Sequence, residues 1–302
     1  MSTTATILLL ISGFTHAGWN FISKKEHPTQ AFYLAANTIG VICVLPILCF
    51  YGHLLPGIPR SVWIIVVLSG FFLAAYLQAI AGAYRNGDMS IVYPLARSLP
   101  VIFVFILSLL AGRSQPSGQW FSAGMLLIVG GCVILPLKVF GDFRLSNYKN
   151  LCCLLALLAA AGIAAYTFAD DMALGHLRKL PGKPFSPVAG TLVYMVLEGI
   201  SCSLWQGVLV AFSTRERRRL SQVLQSYKGP AAVTGIGIYL TYGLVLLSMN
   251  FVSNVNYVAA FRQFSIPLGA LFGMGLLKEP HYVPKLMGIV VIFVGLLMTA
   301  AG

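Results

Sequence analysis

Charge is what this sequence has least of. Only 9% of its 302 residues are Asp, Glu, Lys or Arg, and just eight are acids. A soluble domain spends about a quarter of its residues on charge to wet its surface. The composition therefore excludes the two ordinary globular domains that the length would suggest. Hydrophobic residues make up 58% of the chain and the mean hydropathy is +0.85, so the expected surroundings are lipid. Several chemical signatures are also missing. There is no His-Glu-x-x-His for an intramembrane metal, no Gly-x-Ser-x-Gly for a serine nucleophile and no Walker motif for a primary pump. The six cysteines, Cys43, Cys49, Cys132, Cys152, Cys153 and Cys202, lie in or beside apolar runs without metal-ligand spacing and read as small hydrophobes. No metal or other cofactor is expected. The first apolar run lacks a basic leader and a small-residue cleavage site, so it reads as a permanent span.

Long apolar runs are what the chain does have. A bilayer core about 30 Å thick takes roughly 20 helical residues at about 1.5 Å each. Ten runs qualify: residues 5–23, 31–51, 61–84, 89–112, 118–137, 150–172, 188–212, 229–250, 255–277 and 282–300. Turn chemistry separates them, as at Gly57-Ile58-Pro59, Asn86-Gly87-Asp88 and Lys278-Glu279-Pro280. The expected fold class is all-α, a polytopic membrane protein of ten transmembrane helices. Two connections are long, 138–149 and 213–228, and no room is left for a soluble domain.

The second half of the chain echoes the first. At an offset of 167, Ser98-Leu99-Pro100 falls on Ser265-Ile266-Pro267; at 147, Trp19-Asn20-Phe21 falls on Tyr166-Thr167-Phe168. The expected organisation is a five-helix repeat over 1–137, a connecting loop over 138–149 and a second five-helix repeat over 150–302. An odd number of spans per repeat turns one half upside down relative to the other and creates a central cavity at their interface. On these residues the chain resembles a known family. The small-rich HAGWNFISKK of the first run and the closing RQFSIPLGALFGMGLLKEPHYVPKLMGIVVIFVGLLM look like the EamA type of the drug/metabolite transporter superfamily. Ser265, Pro267 and Glu279 hold the places of that family's repeat signature, while Gly112 stands where the second half has Glu279. The resemblance implies a metabolite carrier of the cell inner or plasma membrane, often an exporter of amino acids or related compounds.

The net charge of +12 invites a nucleic-acid reading until the charges are placed. Thirteen basic residues fall in loops on one side of the ten-span scheme and five on the other. The positive-inside rule then prefers both termini outside, whereas relatives in the resembled family usually keep both inside. The run Arg215 to Arg219 joins two spans and has no interleaved aromatics, so topology and contact with anionic membrane lipid explain it better than nucleic acid does.

Polar residues inside the runs ask for a cavity or a partner, because a charge at the bilayer centre costs about 2.5–3.5 kcal/mol on insertion scales. Arg97 and Arg262, with Gln263 beside the latter, are candidates to hold a substrate carboxylate or phosphate. The competing role for either Arg is binding carbonyls freed by Pro94, Pro100 or Pro267. Ser12, His16, Asn20 and Ser23 share one face of the first run with Trp19 beside it, which makes His16, Trp19 and Asn20 candidate ligands. Thr191, Tyr194, Glu198 and Trp205 form a similar stripe, and Glu198 is the acid placed deepest. Glu198, His16 and Asp170 are candidates for proton coupling or gating, although Asp170 and Asp171 close their run, where a solvated pair is also expected. Mid-run Tyr76, Tyr239 and Tyr242 could line the cavity; Tyr84 and Tyr257 fit an interfacial belt. Gly124, Gly130, Gly131, Gly288 and Gly295 would let the fifth and tenth spans approach closely.

The function these features favour is secondary transport by alternating access of a small polar or amphipathic metabolite, an organic anion or zwitterion such as an amino acid. Export is the expected direction, proton coupling is admitted, and the working unit is a monomer or homodimer. The alternatives are a membrane-embedded enzyme and a non-transporting membrane partner.

Overall fold

The computed structural model describes residues 3–112, 118–144, 148–180, 186–248 and 264–301, and every regular element among them is helical. The helices are α1 (Thr3–Lys25), α2 (Gln30–Val44), α3 (Ile47–Tyr51), α4 (Arg60–Asn86), α5 (Met89–Leu110), α6 (Gln119–Ile134), α7 (Leu151–Arg178), α8 (Pro187–Ala211), α9 (Thr214–Ser226), α10 (Lys228–Ser248), α11 (Ser265–Leu276) and α12 (Val283–Ala301), with a 3-10 turn at Gly52–Gly57. Arg262, Gln263 and Tyr257 lie outside the described residues. Five helices, α1, α4, α5, α7 and α8, are long and apolar enough to cross a membrane; α2 with the segment that follows it makes a sixth if the pair is one bent span. Helices α6, α11 and α12 are shorter apolar helices.

Three expected boundaries change. The second run breaks after Val44 and bends by 45°, because Pro46 has no N–H to continue the ladder. Helix α7 runs on to Arg178 instead of stopping near residue 172, since Ala173 and Leu177 still have a core to enter, formed with Val62, Val66 and Val193. The connection 213–228 is not a loop but mostly α9, opened by Ser213, whose hydroxyl accepts from the Glu216 N–H. Thr29, Asn150 and Ser186 cap α2, α7 and α8 in the same way, each satisfying one donor that a helix N-terminus leaves orphaned.

The exterior is apolar: Phe14, Ile64, Leu110, Leu126 and Leu204 are among many large hydrophobics left exposed. The interior holds buried Asn20, Asn37, Ser69, Glu198 and Lys285. Polar groups inside and apolar groups outside are the arrangement a lipid solvent selects.

Small residues set the helix pairs. Gly162 of α7 lies against the Tyr76 backbone of α4, and Gly82 against Leu155, so these two helices run antiparallel. Helices α1 and α10 are antiparallel too, with Ser12 donating to the Thr241 carbonyl and Trp19 against Gly237. Helices α2 and α10 run parallel through Ala36–Gly235 and Gly40–Tyr239, as α4 and α8 do, with Val62 and Val66 in one core with Val193 and Leu197 and Gly70 against Ser201 further along. The glycine-rich pair is α6 and α12. A Cβ on Gly124 would stand 2.6 Å from the Gly295 carbonyl oxygen, and one on Gly131 2.6 Å from Ile292. Gly288 packs on the Leu135 backbone in the same seam, whereas Gly130 faces open space and takes no part.

Candidate functional site

One end of the bundle collects the ends of α1, α4 and α11 and the starts of α2, α5, α7 and α12. It is tied by charged groups. Lys24 at the end of α1 donates to the carbonyls of Tyr84 and Gly87, and Arg85 donates to the Pro28 carbonyl. Glu279 accepts the Met89 and Ser90 N–H groups at 2.6 and 2.8 Å, capping α5 from a position 190 residues away. Asp88, the residue placed to cap α5 itself, makes no such bond; its carboxylate lies 3.1 Å from the buried Lys285 ammonium, which also reaches Ser90 and the Pro280 carbonyl. Glu216 of α9 accepts from the Ala31 N–H and pairs with Arg219 at 2.8 Å, fastening α9 to the start of α2. Among the described residues most of the cations sit at this end.

A cavity of about 350 Å³ lies in the bundle centre. Its wall runs from His16, Tyr76 and Arg97 near the middle of α1, α4 and α5 to Arg178, the last residue of α7, at the end opposite the charged ties. Several sequence-derived candidates meet there: His16, Trp19, Tyr76, Arg97, Asp170, Glu198, Tyr239 and Tyr242 all line it. Asn20 does not. It is buried, receives the Tyr84 hydroxyl at 2.8 Å and bonds back to His16, so it joins α1 to α4. Tyr84 is correspondingly fully buried, which corrects its expected place in an interfacial belt. The rest of the α1 stripe is occupied likewise, Ser23 by Tyr33 and Ser12 by α10.

Donor side chains reach the cavity from most of the surrounding helices, among them His16 and Trp19 of α1 and Arg97 of α5. Arg97 has no hydrogen-bond or ion-pair partner among the described residues, and its buried Nε is unsatisfied, as is the indole N–H of Trp19. No described carbonyl near Pro94 or Pro100 takes up the guanidinium. His16 Nδ1 lies 2.7 Å from the Tyr93 hydroxyl, which orients its ring over the cavity. Tyr239 donates to Asn37, whose amide nitrogen bridges to Gly199 and Ser203 of α8.

The acids come from α7 and α8. Because α7 continues for eight residues past Asp170, about 12 Å of helix, this acid stands inside the bundle and is no solvated pair at a helix end. Ser69 Oγ of α4 lies 2.6 Å from Asp170 Oδ1 and 2.8 Å from Glu198 Oε1, and the Tyr194 hydroxyl donates to the same Asp170 oxygen at 2.7 Å. The inward stripe of α8 thus holds: Glu198 and Tyr194 reach Asp170 and Ser69, while Trp205 donates to the Val67 carbonyl. Ser69 escaped the sequence reading, since a lone Ser in SVWIIVVLSGFFLAAY carries no periodic signal. Among the described residues no group of His, Cys, Asp and Glu is arranged to hold a metal ion.

No family model matches the chain, and no curated protein matches it. A solved structure described only as "Crystal structure of protein" is similar over 92% of this chain and 98% of its own, with 16% identity and a TM-score of 0.45.

Proposed function

We propose that this chain is a secondary transporter of the EamA type, moving a small anionic or zwitterionic metabolite by alternating access. The observation that carries the reading is a cavity with converging polar side chains inside an apolar bundle, lined by an unpaired arginine and continued to one end of the helices while the other end is bolted by an ion pair and by hydrogen bonds of charged groups. A cavity near 350 Å³ falls in the range of small-molecule sites, about 300–1,000 Å³. Arg97 offers a planar fork for a carboxylate, Trp19 a further donor, and the acids opposite would receive an ammonium.

The helix pairing supports the two-repeat organisation, 1–137 and 150–302. Under that equivalence the antiparallel pair α1–α10 corresponds to α7–α4, and the parallel pair α2–α10 to α8–α4. Inverted halves of this kind rock about a central site. The charged end carries the cation-rich connections, so the positive-inside rule sets it in the cytoplasm and the cavity mouth outside. The membrane proposed is the cell inner or plasma membrane, and the proposed direction is export.

Counterflow in proteoliposomes tests the reading, with a panel of radiolabelled amino acids and short organic acids. Wild-type protein exchanges at least one panel member, and Arg97→Ala and Arg97→Lys abolish exchange while reconstituting normally. Unchanged exchange by Arg97→Ala removes the cationic site; no exchange across the panel by wild-type protein counts against transport of this substrate class.

A further inference from the structure

The contacts around Ser69 require one more proton than the hydroxyl has. Ser69 Oγ is within hydrogen-bond distance of two carboxyl groups, at 2.6 Å from Asp170 and 2.8 Å from Glu198, yet a serine carries a single O–H. Asp170 Oδ1 already takes the Tyr194 hydroxyl at 2.7 Å. The Asp170 and Glu198 carboxyls also contact each other, so the extra proton belongs to the pair; two donors on the Asp170 oxygen suit an ionised carboxylate and assign that proton to Glu198. Glu198 donates to Ser69, Ser69 donates to Asp170, and Tyr194 donates to Asp170. Two ionised acids would leave the Ser69–Glu198 contact without a hydrogen, with an oxygen pair repelling across 2.8 Å in a buried site.

We propose that the Asp170–Ser69–Glu198 cluster is the coupling-ion site of the transporter, and that the ion is a proton exchanged against the cationic group of the substrate. This rests on the transport reading above and names its coupling. Both acids line the cavity, so a proton leaving Glu198 passes to cavity water as the Glu198 O–H bond breaks, and the cluster goes from one negative charge to two. The doubly negative cluster attracts an ammonium; the singly negative one releases it. Proton and substrate thus compete for one wall of the cavity, which is the requirement for exchange.

The surroundings set the balance. On α7, Asp171 and Arg178 line the same cavity, as do Arg97 of α5 and His16 of α1. From α4 and α8 the groups in contact are Ser69 and Tyr194, with the Cys202 thiol beside Glu198, and Tyr76 of α4, Tyr166 of α7, Thr191 of α8 and Tyr239 and Tyr242 of α10 share the cavity wall. No lysine or arginine forms an ion pair with Asp170 or Glu198 among the described residues. A fixed Glu–Arg pair, which would hold Glu198 ionised, is not what these helices build. A bound sodium ion would also need the oxygens spread around it, whereas here they are at hydrogen-bond separation.

The test uses full-length protein in lipid and begins without substrate. Infrared difference spectra through a pH titration report the C=O stretch of protonated carboxyls, and with only eight acids in the chain the background is small. A protonated-carboxyl band is expected at neutral pH, sensitive to D2O and lost on alkalinisation. It disappears in Glu198→Gln, and in Asp170→Asn it is lost at lower pH because the neighbouring charge is gone. No such band at neutral pH, or the same band in both variants, overturns the proposal. In proteoliposomes carrying the amino-acid panel, an imposed pH gradient drives accumulation by wild-type protein. Glu198→Gln loses the pH-driven component, and Glu198→Asp restores it. Equal pH-driven accumulation by Glu198→Gln, or accumulation driven instead by a sodium gradient, overturns the coupling. Absence of any exchange by wild-type protein sinks the transport reading, and the infrared result then decides the proton site by itself.

Discussion

Removing the Glu279 carboxylate should unlatch the charged end of the bundle. Its two oxygens accept the first two N–H groups of α5, at 2.6 and 2.8 Å, and the side chain is only 8% exposed. Hydrogen bonds to charged groups contribute about 1.5–3 kcal/mol each. In Glu279→Ala both are lost, partly offset if Asp88 leaves Lys285 and swings in as an ordinary N-cap, worth about 1 kcal/mol. The net shift is about 3 kcal/mol, roughly a hundredfold in the population of the opened end at about 1.4 kcal/mol per decade. Glu279→Gln keeps one acceptor and should lose about 1.5 kcal/mol, close to tenfold. The reporter is already in place. Cys152 is buried at the start of α7, its thiol packed over Gly87 in the loop that Glu279 and Lys285 hold. In a protein retaining only that cysteine, labelling by a water-soluble maleimide follows the opened population. The expected order of rates is wild type, then Glu279→Gln, then Glu279→Ala, with helical circular dichroism unchanged. A folded Glu279→Ala protein that labels at the wild-type rate would refute the argument that this carboxylate closes the end.

Other expectations follow from single contacts. Gly131→Ala drives a Cβ into the α12 backbone and should lower stability by about 1–3 kcal/mol, while Gly130→Ala, facing open space, should be neutral or mildly stabilising; thermal melts in detergent separate the two. Asn37→Leu breaks its bonds to Gly199, Ser203 and Tyr239 and strands the Tyr239 hydroxyl, for a loss of about 1–3 kcal/mol that Tyr239→Phe in the same protein should partly recover. A reporter active only in the cytoplasm, fused after the last helix, should be silent if the charged end faces the cytoplasm; activity there reverses the orientation.

The sequence announced its lipid surroundings and the faces of its helices better than it announced their ends. The stripe through Thr191, Tyr194 and Glu198 was visible because a 3.6-residue period survives in an apolar helix. The end of α7 was hidden for the opposite reason. Asp170, Asp171, His176 and Arg178 lower the local hydropathy, yet Ala173 and Leu177 keep the helix in a core built by distant residues. The spacing Ser213-Thr214-Arg215-Glu216 is a capping-box signature, and the density of arginine that follows masks it as a loop. Ser69 carries no local signal, and Glu279 has only a turn and a place in the resembled family's signature, neither of which points to α5. Their roles come from partners 101 and 190 residues away, and one serine among valines or one acid in a turn cannot declare such a partner.

The origin of the cavity charges bears on how such a site could be coupled to movement. In the proposed two-repeat organisation Arg97, midway along α5, belongs to residues 1–137, whereas Asp170, Glu198 and Arg178 at the cavity's end belong to residues 150–302. A zwitterion held by Arg97 at its carboxylate and by the acid cluster at its ammonium would touch both halves at once. Any rocking of one half against the other changes the distance between those charges, so the substrate binds the two arrangements with different affinity, and that difference is the only means by which a ligand shifts a conformational equilibrium. A simple anion held at Arg97 would leave the acid cluster of the other half without a partner. Among the proposed substrates the two-headed one should therefore give the larger acceleration of exchange, and a panel in which amino acids exchange no faster than the matching carboxylic acids lacking the amino group would show that the halves are not bridged.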